Sequence, residues 1–225
     1  MSLNVPIIRL LVAKDWQLFQ KQLAAHVLGG ILALCLLGHG KPWSFYFGAL
    51  LLLVVMVSAA CFSISTALLV ERKEQTLAFV MSLPVSPFDY MVAKLAGNLL
   101  TFAVPFGVMV LGTVGVILFT PLPDGLFVYS LLLFGYILLA YSVSLAVAMS
   151  VQSEGWNTFA MIGSMVLINP VIMGLGQIEA ISSTVREDAI VWSGPALLIL
   201  SSEILLSLSA IAITAWVHGR KPVFH

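Results

Sequence analysis

Charge is what this sequence has least of. Ten acidic and ten basic residues leave the 225-residue chain 9% charged and 60% hydrophobic, where an ordinary soluble domain carries about 25% charged residues. So little charge cannot cover a globule of this size with a solvated surface, and a membrane is the natural surrounding. The formal net charge is zero, so no basic face invites nucleic acid. Cysteine is scarce as well. Cys35 and Cys61 both sit in apolar runs, give no disulfide framework or zinc spacing, and read as small apolar fillers. The phosphate-cradling pattern G-x-x-x-x-G-K-[ST] is absent, as are G-x-S-x-G and H-E-x-x-H. His26, His39, His218 and His225 fall at no metal-ligand spacing. No metal site is expected, and without a visible nucleophile–base pair the chain is not expected to be catalytic itself.

What the sequence has is long apolar runs. A bilayer core of about 30 Å takes about 20 apolar residues as helix. Six stretches qualify, roughly 23–38, 44–70, 95–119, 126–149, 157–176 and 195–217. Turn chemistry separates them in "GHGKPW", "PLPDG", "SEGWN" and "WSGP". Pro105 and Pro170 lie inside spans, where neighbours must re-satisfy the freed carbonyls. The first run lacks an A-x-A cleavage pattern and reads as a retained span. The fold class expected is therefore all-α: one polytopic transmembrane domain over residues 1–225. Lysine and arginine orient it. With the N-terminus inside, the inner segments hold Arg9, Lys14, Lys21, Arg72, Lys73, Lys94, Arg220 and Lys221, and the outer ones only Lys41 and Arg186. Both termini are expected in the cytoplasm.

Residues 5–21 read as an amphipathic interfacial helix ahead of the first span. Arg9, Lys14, Gln17, Gln20 and Lys21 share one arc, and Ile7, Ile8, Leu11, Val12, Trp16, Leu18 and Phe19 fill the other. Trp16 suits the headgroup level. Asp15 falls on the apolar arc and is the one misfit. Two readings stay open: a helix that only lies on the membrane, and one that also contacts a cytoplasmic partner. The outer stretch 177–194 is either a plain surface loop or short helices dipping back toward the membrane.

Within the spans, Glu203 is the one acid. It shares a helix face with Ser207, Ala210 and Thr214, and an intramembrane carboxylate usually faces protein or water. It lines a translocation path, with Ser207 and Asn169 as further candidates, or hydrogen-bonds a neighbouring helix, or snorkels outward; these readings stay open. Small-residue rows at Ala59, Ser63 and Ala67 and at Ala140, Ser144 and Ala148 mark close helix contacts.

One polar island interrupts this pattern. "ERKEQTLAFVMSLPVSPFDYMVAK", Glu71 to Lys94, holds six of the twenty charged residues. Leu77, Val80 and Met81 make an apolar ridge, Glu71, Glu74, Gln75, Ala78 and Ser82 a polar one, and Pro84 and Pro87 stop the helix. Such an element is suited to docking. The segment resembles the signature of permease subunits of ABC transporters of the type-2 exporter class, in which a Glu-x-Thr, an apolar helix, a Leu-Pro-Val-Ser turn and a lysine entering the third span recur. Glu74, Thr76, Leu83, Pro84, Val85, Ser86 and Lys94 match in order. The resemblance implies a coupling helix within 71–88, with Glu71, Arg72, Glu74, Gln75, Thr76, Phe79, Ser82, Leu83, Pro84, Val85 and Ser86 docking a separate ATPase subunit. It makes Arg9, Lys14, Asp15 and Trp16 part of the interfacial helix beside it. It further implies a second permease, identical or a sister chain; ATP and Mg on the ATPase and no cofactor on this chain; and a place in a bacterial inner (plasma) membrane. The rival expectations are an ATP-independent secondary transporter or channel using Glu203 as a proton or ion site, and an intramembrane enzyme.

Overall fold

A computed structural model describes residues 4–66, 86–151 and 153–219. Every regular element among them is helical, in the order α1 (Val5–Gly38), α2 (Pro42–Ile64), α3 (Pro87–Phe119), α4 (Leu126–Ser150), α5 (Glu154–Val166), α6 (Ile168–Gln177), α7 (Glu179–Ser182), a 3₁₀ turn (Thr184–Arg186) and α8 (Gly194–Gly219). With α5 and α6 counted as one path, six are long and apolar enough to cross a membrane. The chain is an all-α polytopic membrane protein.

Two boundaries differ from the expectation. The interfacial helix and the first span are one unbroken 34-residue rod, about 51 Å long at 1.5 Å per residue. Nothing between Lys21 and Leu23 breaks a helix, so the switch from amphipathic to apolar sequence changes the helix's surroundings and not its backbone. Likewise α3 begins at Pro87, eight residues before the expected start of the third span and inside the stretch assigned to the coupling element. Ser86 caps it by accepting the Asp89 N–H at 3.0 Å, Pro87 occupies the first turn, and the Ser86 hydroxyl donates to Asp89 Oδ2 at 2.7 Å. Ser86 is the one expected docking residue the structure describes; Glu71, Arg72, Glu74, Gln75, Thr76, Phe79, Ser82, Leu83, Pro84 and Val85 lie outside the described residues.

Neighbouring partners give the topology. Gly48 of α2 backs onto α1 so closely that a Cβ would stand 2.7 Å from Leu37 N and 2.9 Å from Ala33 O; only glycine permits that approach. Here α2 runs antiparallel to α1. By contrast α3 lies parallel to α1: Asn4 meets Asp89, Asp15 meets Lys94, and Gly30 meets Met109. Tyr141 stacks on Phe102 at 3.8 Å and Phe106 meets Phe134 edge-on, setting α4 antiparallel to α3. Running back up α4, α5 and α6 place Ser164 beside Ser144 and Ile172 beside Tyr129. Finally α8 descends along α4, with Glu203 against Gly135. Both ends of the described chain therefore lie on the same side of the bundle.

The core centres on Ala33, Met56, Ala60, Ile64, Phe102, Met109, Ile137, Tyr141 and Leu145. The expected small-residue rows are in it: Ala59, Ser63, Ala140, Ser144 and Ala148 are all buried, and Ala67 lies outside the described residues. Pro170 splits the fifth span. It cannot donate to the Val166 carbonyl, and the Asn169 side-chain amide reaches that oxygen instead at 3.4 Å. Beyond it, the 177–194 stretch forms α7 and the 3₁₀ turn, and Ile181, only 2% exposed, packs among Val128, Leu132 and Leu175.

Candidate functional site

The misfit acid finds its reason at the end of the bundle where α1 and α3 begin. The Asp15 and Lys94 side chains are 6% and 4% exposed, and Lys94 Nζ donates to Asp15 Oδ2 at 2.9 Å. Lys94 also stands over the Tyr90 ring at 5.9 Å, and Lys14 approaches the other Asp15 oxygen at 3.7 Å from a half-exposed position. Nearer the chain's start, at the N-cap of α1, Asn4 N–H donates to Asp89 Oδ1 at 3.1 Å, so the first turn of α3 is tied to the start of α1. The apolar arc of α1 thus faces protein at this height, where a charge is tolerable only with a partner. Arg9 and Lys14 are exposed, and Trp16 is partly buried. The last turn of α2 and the first turn of α3 lie at this same end, with residues 67–85 between them in the sequence.

Above the ion pair sits a polar node that sequence reasoning missed. Asn98 Oδ1 accepts from the Ser63 and Tyr141 hydroxyls, both at 2.9 Å, and Asn98 Nδ2 donates to Ser63 O at 3.0 Å. Thr101 Oγ1 adds a contact to Ser63 at 2.8 Å. Asn98, Ser63 and Tyr141 are at most 1% exposed, so α2, α3 and α4 are pinned by one amide. The signal was present: a carboxamide inside a hydrocarbon-length run is costly unless it is fully bonded.

On the far side of α4, Glu203 is 6% exposed. Its Oε2 has no hydrogen-bond partner among the described residues, and it occupies the notch left by the missing side chain of Gly135. Ser207 donates to the Glu203 carbonyl at 2.7 Å. The structure therefore keeps Glu203 and Ser207 together on the α4-facing side of α8. Asn169 stands apart, exposed on α6, and is not brought into this group. A Cβ at position 135 would meet the Glu203 carboxylate, the free end of a flexible side chain, so Gly135→Ala turns that carboxylate aside. Gly135→Ala should therefore cost less than about 1 kcal/mol, below the usual range for overpacking, as read in a denaturation titration.

Among the described residues no cluster of three metal-ligating side chains occurs. No protein-family model, curated protein or solved structure matches the chain.

Proposed function

We propose that this chain is the membrane-spanning permease half of an ATP-driven exporter of the ABC type, docking a separate ATPase through the segment around Glu71–Ser86 and pairing with a second permease. The observation that carries the reading is the double tie between α1 and the base of α3. The docking segment resembles a coupling helix in sequence and re-enters the bundle at Ser86, and the first thing it meets is Asp89 held by Asn4, then Lys94 held by Asp15. A displacement of the segment would pass at once into α1 as well as α3. A loop that merely joined two spans has no use for a buried ion pair at its foot. On this reading ATP and Mg belong to the partner ATPase, the side holding α1's start is cytoplasmic, and the membrane is a bacterial plasma membrane.

Reversing charge at Glu71 and Glu74 together tests it. The ATPase chain should be lost from the purified complex, and stimulation of its hydrolysis should fall; an unchanged complex with unchanged stimulation would sink the docking assignment. A second reading, an ATP-independent transporter or channel, is favoured by the buried Glu203 Oε2, which has no hydrogen-bond partner among the described residues. Glu203→Gln separates the two: it abolishes proton- or ion-driven transport under the second and leaves ATP-driven transport running under the first.

A further inference from the structure

The end of the bundle away from the Asp15–Lys94 pair holds a cavity of about 380 Å³ between α2, α3 and α4. Its wall is mostly hydrocarbon, from residues such as Leu52, Ile117, Leu133 and Phe134. The Tyr129 and Ser130 hydroxyls on it donate to the Ile172 and Phe127 carbonyls, Tyr46 adds a third hydroxyl, and Thr113 a fourth. That residue is 5% exposed, and its Oγ1 has no hydrogen-bond partner among the described residues. The other buried serines and threonines, Ser44, Ser63, Thr101, Ser142, Ser144, Ser207 and Thr214, all have one. A depression of about 340 Å³ adjoins the cavity, sharing Phe45, Tyr46, Leu122 and Val185 with it. Lys41 and Arg186 stand on its rim. They are the two basic residues that the inside-positive count leaves on the other side. Both are exposed, and neither has an ion-pair partner among the described residues. Glu187 and Asp188 follow Arg186 in the chain, and the Glu187 carbonyl is engaged by Gly125 N–H at 2.9 Å.

We propose that cavity and rim together bind a single-chain anionic amphiphile, its head between Lys41 and Arg186 and its chain in the cavity. Two cations line one mouth, and the space behind that mouth offers no charged partner to an ionic body. The volume lies at the small end of ligand pockets, roughly 300–1,000 Å³, and suits one chain. A fatty acid and a lysophospholipid share this chemistry; the second adds an ester oxygen that the free Thr113 hydroxyl is able to bond. The site holds whether or not the chain couples to an ATPase.

The test uses the full chain in nanodiscs of zwitterionic phosphatidylcholine with diazirine-bearing palmitate, lysophosphatidic acid and hexadecanol. Saturable label from the anionic probes should map to residues 45–53, 113–117 or 126–134. The exposed double variant Lys41→Gln/Arg186→Gln should weaken both anionic probes about thirtyfold and leave hexadecanol unchanged. Leu133→Trp, which fills the cavity, should weaken all three. Thr113→Val should weaken lysophosphatidic acid more than palmitate; equal effects would remove Thr113 and the ester preference. Should Leu133→Trp fail to give a monodisperse protein, the rim variant decides alone. Unsaturable label spread along the outward-facing residues of α8, or anionic labelling indifferent to the rim charges, overturns the site.

Discussion

Lys94→Met should cost about 3–5 kcal/mol, the penalty for leaving one charge of a buried pair without its partner. Among the described residues Asp15 would then keep Lys14, at 3.7 Å and from a half-exposed position, as the cation opposite it. Asp15→Asn should cost less, because an amide still accepts from Lys94. The informative variant is the double one. Replacing Asp15 with leucine and Lys94 with methionine removes both charges and restores apolar packing between α1 and α3. Such exchanges are often neutral or stabilising, so the double variant should unfold near the wild-type midpoint in a graded detergent titration followed by tryptophan fluorescence. If the pair were only a stability device, that variant would also be normal in function. Under the permease reading it is stable but poorly coupled, with ATPase stimulation reduced although the ATPase still co-purifies. Single variants as stable as wild type would show that the pair is open to water.

The second large effect is expected at Asn98. Asn98→Leu keeps the branching and the number of side-chain heavy atoms and deletes three side-chain hydrogen bonds at once. Interhelical bonds in membranes contribute about 0.6–1.7 kcal/mol each, so the loss is roughly 2–5 kcal/mol. The upper half of that range is favoured because the Tyr141 hydroxyl has no water to turn to when the residue is fully buried. Tyr141→Phe should remove only the single bond to Asn98 and leave the stack on Phe102; the same titration should show about 1 kcal/mol for it. Equal losses for the two variants would mean that Asn98 does not act as the hub.

The spans were legible because a bilayer imposes a length and an apolarity that any 20-residue window reveals. Asp15 was legible as an anomaly, a charge on the wrong arc, but its partner was not. Lys94 is 79 residues away, and no period within one helix reports the register between two. Asn98 was passed over because it carries no charge, although an amide in hydrocarbon must be bonded as strictly as a carboxylate. Glu203 stood out at once, yet the glycine that accommodates it lies on another helix and looked like any other small residue. The α3 boundary slipped for a different reason: "SPFD" was read as the end of the docking element, when its serine and aspartate also build a helix start.

The long parallel contact of α1 and α3 has one more consequence. Both rods, 34 and 33 residues, exceed by about 20 Å what the bilayer core requires, and their surplus is at the same end. They are tied to each other by polar contacts at Asn4 and at Asp15, and Gly30 packs against Met109. Two polar ties at separate heights oppose shear, so one helix slides past the other by a turn only if both break. A force on their projecting feet therefore has one soft response, a tilt of both together, and the far ends at Gly38 and Phe119 must swing by a comparable arc.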